Sequence, residues 1–141
     1  MKEGLKAGLE STLTFTVPQE KTVPHLYPEA DCFQTMPDVF ATGFMVGFME
    51  WACMEAIKPF LEPDERTVGT MINVTHEAAT PVGMEVSATV RCVEFDGKKS
   101  VWDVVARDEV DVIGRGTHER FLINSEKFMQ RLKAKETKAK S

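Results

Sequence analysis

No apolar run in this chain approaches the roughly 20 residues that a membrane-spanning helix needs. The start, Met1-Lys-Glu-Gly-Leu-Lys6, has no apolar core of the kind that leads a secreted protein. A cytoplasmic protein without a membrane partner is therefore expected. Cysteine is scarce: Cys32, Cys53 and Cys92 are odd in number, widely spaced and form no CxxC pair. That excludes a disulfide framework and a thiolate metal cluster, and reduced thiols are the expectation. There is no internal repeat and no low-complexity linker. Aromatic residues are missing after Phe128, where Arg131, Lys133, Lys135, Lys138 and Lys140 accumulate. A basic tail with nothing to stack on a base, attached to an acidic body, reads as a solvated helix end and not as a nucleic-acid partner.

What is present fits one soluble domain over residues 1–141, long enough to bury about two-thirds of its unfolded surface. Leu9 to Val17 alternates in part and reads as a first strand. Pro18 and Pro24 interrupt regular structure, and His25 to Pro37 is loop-like. Thr35-Met-Pro-Asp38 has capping-box spacing and opens a helical stretch to about Lys58, where Pro59 and Pro63 end it. That stretch is apolar nearly all round, which marks a buried helix. Gly43 and Gly47 share one of its faces, for close backbone packing or for ligand room. Four strand-length segments follow: Val68 to Ala79, Met84 to Phe95, Lys99 to Arg107 and Val112 to Ile123. Thr80-Pro-Val-Gly83 and Asp96-Gly97 are turn signals. Ser125 caps a last helix to about Lys133, so that residues 126–141 form a helix and basic tail. The class is α+β, a five-stranded antiparallel sheet with one buried helix. One sheet covers one side of an all-apolar helix, so a homodimer is expected.

Two segments carry chemistry. Phe40 to Trp51 puts Thr42 and Glu50 into the apolar helix, and Val74 to Gly83 puts His76 at the end of a strand. An unpaired buried carboxylate is costly, so Glu50 needs a partner, with Arg66, Arg91 and Arg120 as candidates. Hydroxyl, imidazole and carboxylate are together the groups that acyl transfer uses. Thr42 and Glu50 lie about 12 Å apart along a straight helix and cannot bond each other. Either Thr42 precedes the regular helix, as an N-cap would, or the two serve one site from different subunits. His76 is the bridge in both cases, taking a proton from Thr42 or water while a carboxylate holds its other nitrogen. Cys53, one turn beyond Glu50, reads as a small core residue, and His118 as a neighbour of the site.

Ala41-Thr-Gly-Phe-Met-Val-Gly-Phe-Met-Glu-Trp-Ala-Cys53, Val74-Thr-His-Glu-Ala-Ala-Thr-Pro81 and Gly116-Thr-His-Glu-Arg120 resemble the fluoroacetyl-CoA thioesterase family of hotdog-fold proteins. Lys21-Thr-Val23 and His25-Leu-Tyr-Pro28 fit it as well, so the resemblance spans roughly Gly4 to Lys127. It implies a hotdog dimer, or a dimer of dimers, that hydrolyses a short acyl-CoA thioester, with CoA as part of the substrate and no metal or redox cofactor. The family's catalytic threonine, glutamate and histidine fall on Thr42, Glu50 and His76. Its backbone glycine falls on Gly69 and its arginine near the acyl group on Arg120. Of its two lid aromatics, one falls on Phe33; Met36 stands at the other place, a flexible thioether instead of a ring. Thr42 would be the nucleophile or the group that positions water and the carbonyl. Gly69 would offer a backbone N–H to the acyl end or the oxyanion. Arg120 would supply positive charge, unless a salt bridge to Glu119 or Glu94 occupies it. The Asp–His pair five residues apart that hotdog hydratases share is absent, because Gly43 stands five residues after Asp38. A non-catalytic acyl-CoA-binding or sensing module on the same fold is the alternative.

Overall fold

The apolar stretch forms a single helix, α3 (Thr42–Ile57), packed against a five-stranded antiparallel sheet. The computed structural model describes all 141 residues. In chain order the elements are β1 (Glu10–Thr16), α1 (Val23–Leu26), α2 (Asp31–Gln34), α3, β2 (Glu65–Val74), β3 (Glu85–Phe95), β4 (Lys99–Arg107), β5 (Val112–Asn124) and α4 (Ser125–Lys140). The sheet order is β1–β3–β4–β5–β2, which leaves β1 and β2 as the edges. This is the hotdog arrangement that the resemblance implied. No helix is long and apolar enough to cross a membrane.

The core lies between α3 and the inward faces of the strands. Met45, Phe48, Met49, Ala52, Cys53, Ala56 and Ile57 are buried from the helix, and Val86, Val90, Trp102, Val104 and Ile113 from the sheet. Each large apolar side chain removed from water contributes about 1.5–3 kcal/mol before the entropy of ordering it. Trp102 is fully buried, and its indole N–H is satisfied by Ser100 Oγ at 2.8 Å. The outer side of α3 is another matter. Trp51 and Met54 are 43% and 47% exposed in the single chain, and Ile72 on edge strand β2 is 40% exposed. The helix is apolar all round in sequence, yet one chain buries only part of it.

Three boundaries differ from the sequence reading. The helix opens at Thr42 and not near Thr35, because Pro37 disfavours helix before it and Val39 and Phe40 are drawn into isolated bridges with Pro81 and Thr22. Thr35 ends α2 instead, its hydroxyl donating to the Cys32 carbonyl. Strand β2 runs from Glu65 to Val74, earlier than expected, so His76 sits just past the strand and not within it. Pairing persists there through Thr75 N–H to Arg115 O (2.9 Å) and Glu77 N–H to Ile113 O. The last helix is capped by Asn124, whose side chain accepts from Lys127 N–H, and its good helix formers carry it on to Lys140. At the β3–β4 turn, Gly97 takes φ +96°, and Asp96 Oδ1 accepts from the N–H groups of Lys98 and Lys99.

Candidate active site

Thr42 is the first residue of α3, and Ala41 is the N-cap. Its hydroxyl is therefore not spent on capping. It points to His76, with Oγ1 2.6 Å from Nδ1. A Thr42 hydroxyl donating to Nδ1 leaves the His76 proton on Nε2. That atom is buried and has no hydrogen-bond partner in the chain, so the carboxylate expected there is not supplied by this subunit. Burial holds the imidazole below its ordinary pKa, with the Ala78 backbone partly opposing the shift. His76 is thus a neutral base at neutral pH.

The segment around His76 is clamped. Glu77 takes a two-point ion pair from Arg115, Nε to Oε2 at 2.8 Å and Nη2 to Oε1 at 3.0 Å, and Thr75 Oγ1 donates to Oε2 at 2.6 Å. Arg115, then Thr75, hold the Glu77 carboxyl down at about 2. From below, α1 supports the first turn of α3. Leu26 packs on the bare face of Gly43, where an added Cβ would lie 2.9 Å from the leucine side chain. The glycine serves side-chain packing and not backbone-on-backbone contact, while Gly47 faces open space.

Glu50 belongs to a second cluster, two turns along α3. Arg120 Nη1 approaches Glu50 Oε2 at 3.3 Å. Of the three candidate cations, Arg120 is the partner, and it is buried while the Glu50 side chain is 40% exposed. Arg120 does not pair with Glu119, whose nearest cation is Lys99 at 3.8 Å, nor with Glu94. It is fixed from three sides: Nε donates to Thr67 Oγ1 at 2.9 Å, Nη2 to the Thr67 carbonyl at 2.8 Å, and Nη1 lies 3.2 Å from His118 Nε2. His118 Nδ1–H donates to the Met71 carbonyl at 2.7 Å, which makes Nε2 the acceptor. Burial keeps this imidazole below its ordinary pKa, as that arrangement requires.

Gly69 faces this cluster. A Cβ on it would lie 3.0 Å from Glu50 Oε2, 3.2 Å from His118 Cε1 and 3.4 Å from Arg120 Nη1. The bare backbone opens a cleft of about 330 Å³ lined by Glu50, Gly69, Thr70, Met71, Ile72 and His118. A β-bulge between Gly69 and Met71 re-aims the strand at this point. Gly69→Ala should fill the mouth of the cleft and lower kcat/KM by about tenfold or more, as a displaced substrate does. The melting temperature should move little, since the position is exposed. An unchanged kcat/KM would remove Gly69 from the site.

Sequence reasoning missed Thr67 as the holder of Arg120. The signal was alternation: Thr67 and Gly69 share one face of β2, and His118 and Arg120 one face of β5. Phe33 lies on α2, half-buried and 5.6 Å from the Tyr27 ring, and Met36 follows, 48% exposed. Gln34 ties this segment to the Pro24 carbonyl at 2.6 Å. Cys53 is buried, and burial pushes its thiol up to about 12, so it is no nucleophile. No group of three or more His, Cys, Asp or Glu side chains is placed to hold a metal ion.

The profile of the family described as fluoroacetyl-CoA-specific thioesterase matches residues 17–126. The chain belongs to this family. It is 52% identical over 135 residues to the fluoroacetyl-CoA thioesterase of Streptantibioticus cattleyicolor, covering 96% of this chain and 97% of that protein. A solved structure of fluoroacetyl-CoA thioesterase superimposes with a TM-score of 0.92 at 51% identity, over 94% of this chain and 98% of that one. A variant of that enzyme has been solved with fluoroacetate and CoA bound. A Thermus thermophilus member of the thioesterase superfamily matches at a TM-score of 0.86 with 28% identity, over 97% of each chain. The family is one of thioester hydrolases, and this chain is an enzyme of that class.

Proposed function

We propose that this protein hydrolyses short-chain acyl-CoA thioesters to the free acid and CoA, at sites that two subunits build together. The observation that carries the chemistry is the 2.6 Å contact between the Thr42 hydroxyl and a neutral His76. A hydroxyl on an unprotonated imidazole is a nucleophile on its base. His76 Nδ1 takes the Thr42 proton as Oγ1 adds to the thioester carbon. It returns that proton to the departing CoA sulfur, leaving an acyl ester on Thr42, and then activates the water that releases the acid.

Glu50 and Arg120 act from the opposite wall. Arg120 engages Oε2 of Glu50, and the half-exposed carboxylate faces the cleft. Thr42 opens α3, so the separation of about 12 Å between the two residues holds and no single chain unites them. The edge strand β2 and the exposed Trp51, Met54 and Ile72 supply a surface on which a second copy can seat. In such a pair, Glu50 of the partner subunit faces the Thr42–His76 half-site, and Gly69 offers its backbone N–H to the acyl end. Phe33 and Met36 form a lid over a small apolar acyl group. The reaction uses no metal or redox cofactor, and a cytoplasmic setting keeps the three free cysteines reduced.

Thiol release from a panel of short acyl-CoAs, fluoroacetyl-CoA included, tests this reading. Turnover with small acyl groups, and an acyl group trapped on Thr42 by rapid quench and mass spectrometry, are expected. Stoichiometric binding without thiol release would replace hydrolysis by a sensing role, and an acyl group trapped on Glu50 would move the nucleophile.

A further inference from the structure

His118 is a buried titratable side chain that the Thr42–His76 chemistry leaves unused. It lines the cleft beside Gly69, on the same inward face of β5 as Arg120. Both of its ring nitrogens are engaged, Nδ1 with the Met71 carbonyl at 2.7 Å and Nε2 with Arg120 Nη1 at 3.2 Å. A carbonyl can only accept, so Nδ1 carries the proton and Nε2 offers a lone pair. A guanidinium is always charged and can only donate, which demands the same tautomer.

That lone pair acts on one particular nitrogen. Thr67 takes Nε and Nη2 of Arg120 through its hydroxyl and its carbonyl. Nη1 has two N–H groups, one for Glu50 Oε2 at 3.3 Å and one for His118. Arg120 is buried, and Glu50 is the carboxylate it pairs with. Without His118, one N–H of Nη1 would be buried and unsatisfied, and the rigid fork would turn to find an acceptor. Because the same nitrogen binds Glu50, that turn would shift the carboxylate that faces the cleft.

We infer that His118 is a positioning residue of the thioester hydrolysis: as a neutral acceptor it fixes the nitrogen of Arg120 that presents Glu50 to the cleft. The inference rests on the thioesterase reading and adds a residue that works through Arg120. It also gives His118 a charge state that it must keep. A proton on Nε2 would replace the acceptor by a donor and set a second cation against a buried guanidinium. Burial is the main cause that holds the ring neutral, and Arg120 adds to it; the Met71 carbonyl, Glu50 and Glu119 oppose. Cys53 of α3, near Arg120 and Glu50, stays an uncharged thiol. Strand β2 has no charged side chain from Thr67 to Val74, and β4 sets Trp102 opposite the ring.

The test compares kcat, KM and the acid limb of kcat/KM for acetyl-CoA in the wild type, His118→Leu and His118→Gln, at a temperature where circular dichroism shows them folded. Leucine removes the acceptor, and kcat should fall about tenfold, with KM changing less. Glutamine restores an oxygen for Nη1 and an N–H for the Met71 carbonyl, so most of the lost kcat should return. Glutamine also has no proton to gain. The wild-type limb should therefore steepen toward two protons, those of His76 and His118, where His118→Gln loses activity with one. A leucine variant as fast as the parent overturns the inference. So does a glutamine variant no faster than the leucine one, or an acid limb equally steep in the wild type and His118→Gln. If His118→Leu does not fold, the limb decides together with nitrogen-15 spectra of the wild type. There a neutral Nδ1–H ring at neutral pH upholds the inference, and an Nε2–H ring or an imidazolium overturns it. A wild type with no turnover of any short acyl-CoA fails the thioesterase reading and takes this inference with it. Turnover in the wild type with no rescue by glutamine sinks the inference alone.

Discussion

His76→Ala should lower turnover of a short acyl-CoA by roughly 10²-fold or more, as the loss of a general base does. The expectation follows from geometry. Thr42 Oγ1 has one short contact, to His76 Nδ1, and no other group in the chain stands ready to take its proton. The fold should survive. Thr75 N–H and Glu77 N–H bond to β5 carbonyls on either side of residue 76, and the Arg115–Glu77 pair does not involve the imidazole. A circular dichroism melt separates loss of chemistry from loss of structure. A purified variant that hydrolyses acetyl-CoA as fast as the parent would remove His76 from the mechanism.

The same histidine sets a pH dependence with a definite sign. Burial lowers its pKa, so the acid limb of kcat/KM in the parent should fall below the ordinary histidine value of about 6.5. His118 is lowered for the same first reason. Both groups are held neutral in the folded state, so their contribution to stability is complete above the unfolded-chain value and is lost as pH falls through the folded values. Activity and stability should therefore decline together on the acid side.

Periodicity and breakers were enough to read the fold class: an all-apolar helix ended by prolines, then hairpin strands marked by Asp96-Gly97 and Pro81-Val-Gly83. The helix start was not readable from local signals. Thr35 to Asp38 has capping-box spacing, but the bridges of Val39 and Phe40 to Pro81 and Thr22 are long-range pairings that override it. The site was legible as residue types and only in part as contacts. Glu50 demanded a cation, and three arginines were candidates. What selects Arg120 is the register Gly69 to Arg120 between β2 and β5, which places a bare glycine opposite the guanidinium. Register depends on the whole sheet and leaves no mark in a short window of sequence. The expected carboxylate on the second nitrogen of His76 failed for a related reason. The chain past β2 tucks Nε2 inside, where no acid of the same subunit reaches it.

Thr42→Ala and Glu50→Gln should each abolish most activity as pure homodimers, and mixing the two variants should restore about a quarter of the parental activity. Thr42 opens α3 and Glu50 sits two turns on, paired with Arg120 and facing a separate cleft. If each active site takes Thr42 and His76 from one subunit and Glu50 and Arg120 from the other, a mixed dimer gathers both substitutions into one site. Its other site is then intact. Random reassortment makes about half of the dimers mixed, each with one working site of two, which gives the quarter. Sites contained in single chains would behave differently, because every site would carry one substitution whatever the mixture. The measurement is a titration of one variant into the other after denaturation and refolding, with thiol release as the readout and dimer exchange followed by a tag on one partner. Activity that rises with the mixed fraction supports a shared site. Confirmed exchange with no gain in activity would return both halves to one chain and would require α3 to move for Glu50 to reach Thr42.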